Sequence, residues 1–140
     1  MNRKEVYATT GSRISLRFFG GWEFISADAV KTNLAHVGYK KGVPMGGDLA
    51  RAPENTTISF LIAATRDPMG ANLDRIQVVK GWVDKAGSTH EKVYDVAWSN
   101  SEQRSIAKNG KLMPVGNTVD LDSASYTNKI GSVELSTVWI

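Results

Sequence analysis

His36, His90, Asp48 and Asp74 are the side chains best suited to acid–base or metal chemistry in this sequence. Histidine changes charge near neutral pH, and a carboxylate beside it can orient it or hold a cation. The spacing around these residues is not that of a catalytic motif. The sequence has no His-x-His, no His-Glu-x-x-His, no Gly-x-Ser-x-Gly elbow and no carboxylate cluster at metal-ligand spacing. It has no cysteine, which excludes disulfides, thiolate zinc sites and cysteine nucleophiles and leaves the compartment open. No catalytic residue, metal ligand set or cofactor follows from these residues. A small-enzyme centre at Asp48, Asp74 and His90 would require the fold to bring all three together.

Weaker constellations offer binding rather than catalysis. The Gly46-Gly47-Asp48 run could form an anion nest or hold a carboxylate beside a ligand; a tight turn is the plainer reading. Asn72, Asp74 and Arg75 stand close together, and a turn with an Asp–Arg pair explains them equally. Trp82 and Trp98 fall on adjacent predicted strands and could line a face that stacks on sugars, although packing is the commoner fate of tryptophan. His36 reads as a partly exposed helix residue and His90 as a residue opening a strand at a sheet edge. Asn55-Thr56-Thr57 matches a glycosylation acceptor without a secretory context.

The elements that would position these residues are mostly strands. Ile14, Leu16 and Phe18 alternate with Ser15 and Arg17, which suits a half-buried strand. Residues 57–65 are rich in β-branched and apolar side chains, as expected for a strand buried on both faces. The segments 75–84 and 90–99 form two more, joined through Gly87-Ser88 as a hairpin. Val30, Leu34 and Val37 recur at helical spacing, with Ser26 or Asp28 as the cap, and predict one helix ending before Gly42. Residues 43–48 then read as loop, and 101–107 as one short helical turn. Short strands are expected near 118–121, 125–129 and 131–140. Together these predict a mainly β chain, an antiparallel β-sandwich with one short helix, in a single domain over 1–140. Parallel α/β architecture is disfavoured because the alternating long helices are missing.

Composition narrows the partners. Seventeen basic and fourteen acidic residues give a formal net charge of +3 over 140 residues. Neither of the denser patches, Arg3-Lys4-Arg13-Arg17 and Arg104-Lys108-Lys111, interleaves with aromatics, so nucleic acid is not the expected partner. The longest apolar run, 60–64, is far too short to span a bilayer. Asn2 to Glu5 is polar and charged with no apolar stretch behind it, so no signal peptide is read here. The final segment closes on Val138-Trp139-Ile140, an apolar strand without a polar tail, which predicts a chain cut from a longer one. An exposed strand of that kind is expected to seek an edge partner, so a homo-oligomer is expected.

Several blocks, taken in order, carry a resemblance. They are Tyr7-Ala8-Thr9-Thr10-Gly11-Ser12-Arg13, Arg17-Phe18-Phe19-Gly20-Gly21-Trp22 and Gly42-Val43-Pro44-Met45-Gly46-Gly47-Asp48-Leu49. They continue through Gly70-Ala71-Asn72-Leu73-Asp74-Arg75-Ile76-Gln77, Lys80-Gly81-Trp82, residues 90–98 and 115–120, and Tyr126-Thr127-Asn128. In that order they resemble the C-terminal part of a large bacterial family, domain-of-unknown-function family 3604. Its full-length members resemble the PHP metal-dependent phosphoesterases, whose ligands come from His-x-His and Asp-x-His motifs upstream of the Tyr-Ala-Thr block. None of those motifs is present here, so no catalytic residue carries over. The resemblance implies a non-catalytic accessory β region that packs on, or helps close, an N-terminal hydrolase domain. The alternative is a stand-alone carbohydrate-binding module using Trp82, Trp98 and the Gly46–Asp48 loop.

Overall fold

A computed structural model describes residues 2–140. Four strands form its central antiparallel sheet: β1 (Ser15–Gly21), β2 (Gly42–Pro44), β3 (Ser59–Thr65) and β8 (Glu134–Trp139). Their order is β2-β1-β3-β8. The register sets Phe19 opposite Leu61 and Leu61 opposite Val138, so apolar side chains meet across three adjacent strands. The remaining strands form two hairpins, β4 (Arg75–Val83) with β5 (Thr89–Trp98), and the short β6 (Val119–Asp120) with β7 (Ser125–Tyr126). The described residues are thus mainly β and antiparallel, with one α-helix, the class that the sequence predicts.

Strand β3 organises both cores. Successive strand side chains point to opposite faces, so Leu61 enters one core while Ile62 and Ala64 enter the other. Leu61 packs with Phe19, Phe24, Ala29, Leu34 and Val37 beneath the helical layer. Ile62 and Ala64 pack with Leu73, Ile76 and Leu135, with Leu16, Phe18, Phe60, Val78 and Val96 around them. That second core lies between the sheet and the base of the β4–β5 hairpin and makes the sandwich. Burying a side chain the size of Leu61 contributes about 2 kcal/mol. The C-terminal strand expected to seek a partner is β8, the outer strand of the sheet; Trp139 stacks on Phe60 and tilts against Tyr94.

Two local expectations are corrected, and one ladder is irregular. The single helix near Val30–Val37 is instead a 3-10 turn at Ser26–Val30 followed by α1, Leu34–Lys41. Lys31, in an extended conformation, divides them, while inside the 3-10 turn the Asp28 carboxylate accepts the Ile25 N–H. Val43 and Pro44, expected at the start of the 43–48 loop, pair with β1 together with Gly42 as β2, because Gly42 can lie against the Gly20 carbonyl where a Cβ would collide. The β4–β5 ladder carries a register shift after Ile76, so Gln77 pairs with Asp95 while Ile76 pairs with Ala97. The alternation of β5 is therefore broken between Asp95 and Ala97. No helix among the described residues is long and apolar enough to cross a membrane.

Candidate functional site

The densest polar assembly lies where the segment entering β4 meets the loop after β5. Asp74 accepts from Arg75 Nε at 3.0 Å and also binds the Arg104 guanidinium. Arg104 donates to the Ser99 carbonyl at 2.9 Å and to its hydroxyl at 3.1 Å. Arg75 donates to the Leu112 carbonyl at 2.9 Å and to that of Met113 at 3.2 Å. Trp98 Nε1 closes the loop by donating to the Arg104 carbonyl at 2.9 Å. Two guanidiniums and one indole thus satisfy loop carbonyls that regular structure leaves unpaired. The Asp74–Arg75 pair was legible in the sequence. Arg104, its third member, was not, because nothing in local spacing links residues 74 and 104.

Asn72 works on the other side of this segment. Its amide donates to the Asn128 carbonyl at 3.1 Å and the Ile130 carbonyl at 2.9 Å, while its own N–H donates to Asn128 Oδ1. Asn72 and Asp74 border a cleft of about 290 Å³ together with Val115–Val119, Tyr126 and Asn128. Asn72 Oδ1 is buried without a partner.

Of the other nominated residues, Trp98 joins this assembly, and the Gly46–Asp48 loop and Trp82 do not. The Gly46–Asp48 loop follows β2 at the far edge of the sheet, where Gly46 has φ +77° and lies against the Lys4 backbone. Gly47 N–H donates to the Pro44 carbonyl, closing the tight turn, and Asp48 is exposed. Trp82 and Trp98 are not neighbours: Trp82 pairs with His90 near the hairpin tip, and Trp98 pairs with Arg75 at its base. Their adjacency was expected because the strands are adjacent, but antiparallel pairing puts early β4 beside late β5. His90 stacks on Trp82 with ring centroids 5.2 Å apart and meets Asp84 at 2.7 Å. That contact and the Ser88 N–H hold the Asp84 carboxyl below its ordinary pKa. His36 is exposed on α1. Among the described residues, no group of three or more His, Asp or Glu side chains is arranged to hold a metal ion.

Asp28 was proposed only as a helix cap and turns out to be the most buried charge. It has no exposed surface, and its carboxylate receives Lys31 Nζ at 2.8 Å, Lys41 Nζ at 2.6 Å and the Ile25 N–H at 3.0 Å. Burial raises its pKa, but the two ammonium groups and the backbone donor more than offset that and hold it well below the usual carboxylate range. This is a structural anchor that ties the 3-10 turn to the end of α1.

The motif blocks behind the resemblance are distributed over the whole fold, from the segment before β1 to the turn before β8. A family model described as a protein of unknown function (DUF3604) matches residues 1–140. The chain belongs to this family. No curated protein and no solved structure matches it. Two blocks of the DUF3604 chain acquire local roles in the fold. The Asn72–Arg75 block fastens three loops, and Gly42–Gly47 supplies β2 and its turn.

Proposed function

We propose that this DUF3604 chain is a non-catalytic accessory β region that packs on, or helps close, a metal-dependent hydrolase domain of bacterial origin. One observation carries the reading: the titratable side chains that could do chemistry are dispersed or committed to holding the fold. Asp74 is held by two arginines, Asp28 by two lysines, His90 by Asp84, and Asp48 stands alone in an exposed turn. The family match supports the reading by covering the chain from end to end. The proposal places the chemistry in a partner domain and leaves a scaffold role to these strands.

The test is hydrolysis of p-nitrophenyl phosphate and bis-p-nitrophenyl phosphate by the purified chain with added Mn²⁺ or Zn²⁺. The expected result is no turnover above the metal blank. Saturable turnover that is lost on Asp74→Asn or His90→Ala overturns the proposal. In-frame His-x-His and Asp-x-His codons upstream of the Met1 codon are the matching genetic expectation.

A further inference from the structure

The distal half of the β4–β5 hairpin belongs to neither core. Every residue from Val79 to Val83 and from Thr89 to Val93 is exposed, including Val79, Val83 and Val93. The backbone ladder nevertheless closes as far as Val83 opposite Thr89. Beyond it Asp84 Oδ1 accepts the Ala86 and Ser88 N–H groups, and Oδ2 meets His90. The result is an ordered ribbon with water on both faces, an arrangement that is marginal when left alone.

Alternation sorts this ribbon into an edge and two faces. Asp84 N–H donates to the Ser88 carbonyl, so residues 82, 80 and 78, at two-residue steps back, are those bonded to β5. The backbone groups of Val79, Gly81 and Val83 therefore point away from β5, and among the described residues β4 pairs with β5 alone. Lys80 stands opposite Lys92, and Trp82 opposite His90, on one face. The other face carries Val79 opposite Val93 and Val83 opposite Thr89, with Glu91 opposite Gly81 between them.

Three features of this ribbon have no use within the chain. Like charges directly opposite each other destabilise a sheet, yet Lys80 and Lys92 are paired, each ammonium parked over a ring, Trp82 at 5.5 Å and Tyr94 at 4.8 Å. Gly81 interrupts a strand although its φ is not positive and a Cβ there would meet only the His90 carbonyl oxygen at 3.9 Å. A strand-interior glycine with open space around it marks a place where another backbone can approach closely. The valine face remains uncovered.

We propose that the free edge of β4 from Val79 to Val83 is a strand-acceptor site for an extended peptide segment of a partner protein that alternates acidic and apolar side chains. Such a segment pairs with the outward N–H and C=O groups of Val79, Gly81 and Val83. The period of two carries across the sheet, so its carboxylates fall beside Lys80 and Trp82, on the face that Lys92 shares one strand further in, while its apolar side chains lie beside Val79 and Val83. Charge complementarity selects an acidic strand over a basic one. The inference stands apart from the accessory role and survives if that role fails.

The probe is a dye-labelled Thr-Glu-Val-Glu-Val-Glu-Thr peptide followed by fluorescence anisotropy, with Thr-Lys-Val-Lys-Val-Lys-Thr as its counterpart. Gly81→Pro removes one outward N–H and no bond to β5, and Gly81→Ala keeps it. The acidic probe is expected to bind the native chain and Gly81→Ala within twofold of each other. Gly81→Pro, and Lys80→Glu with Lys92→Glu, are expected to weaken binding at least tenfold. Amide exchange at Val79, Gly81 and Val83 is expected to slow when the probe is added to the native chain, a readout that needs no variant to fold. No saturable binding below about 1 mM, equal binding of the lysine probe, full binding by a folded Gly81→Pro, or unchanged exchange each overturns the proposal. Sedimentation of the native chain as a dimer that Gly81→Pro converts to monomer gives the edge to a second copy and overturns the peptide partner.

Discussion

Replacing Asp28 by asparagine keeps the shape of the side chain and removes the charge on which two lysines converge. A hydrogen bond to a charged group contributes about 1.5–3 kcal/mol, and breaking one side of a buried ion pair costs about 3–5 kcal/mol. The lysines lower that figure because their side chains are 45% and 28% exposed and can turn back to water. The remaining cost is about 2–4 kcal/mol after that relief. For a chain of this length it corresponds to a Tm lower by roughly 10 °C. The assay is urea denaturation followed by tryptophan fluorescence, repeated from pH 7 down to pH 3. The carboxyl of Asp28 is held below its unfolded value, near 3.9, so its stabilisation is complete above that value and drains away as pH falls toward the depressed folded pKa. Asparagine has no such proton to take up. The stability gap between native chain and variant is therefore constant near neutrality and narrows below about pH 4. A variant within about 0.5 kcal/mol of the native chain at pH 7, or a gap that does not change down to pH 3, refutes the buried-anchor argument.

Other perturbations test other joints. Arg104→Ala removes the contacts to Asp74, Ser99 and Met113; it is expected to cost about 2–3 kcal/mol and to speed amide exchange across residues 100–113. Gly38→Ala, which helix propensity alone scores as a gain of about 1 kcal/mol, is expected to destabilise by about 1–3 kcal/mol, because the new Cβ overlaps the Phe19 ring; thermal melting decides the sign. Asp84→Asn weakens the contact to His90 that closes the hairpin tip, and the expected readout is faster exchange at Ala86 and Ser88 with no change at Leu61.

Alternation carried most of the fold. Strands β1, β3, β4 and β5 stand where apolar and β-branched residues placed them, although β4 and β5 bury side chains only in the half near the central sheet. The helix was the weaker reading: Val30 fits the helical spacing but is exposed, and the chain breaks after it. Spacing cannot show that Asp28 turns inward to collect Lys41, thirteen residues on. β2 was hidden because Gly42 and Pro44 carry loop statistics on either side of Val43, and only contact with β1 makes the three a strand. The Asn72–Arg75 block was visible as a polar cluster, but its work as a fastener depends on Arg104, Leu112 and Asn128, which are distant in sequence. Trp82 and Trp98 show the limit of counting strands: adjacency of two strands does not make two residues neighbours until the register is known.

Titrating Mn²⁺ or Zn²⁺ into the metal-free chain by isothermal calorimetry tests the scaffold role most directly. The account predicts no saturable heat in the micromolar range and no displacement of the His36 or His90 ring resonances. Binding of one equivalent with submicromolar affinity, abolished by changing Asp74, Asp48 or His90, contradicts it.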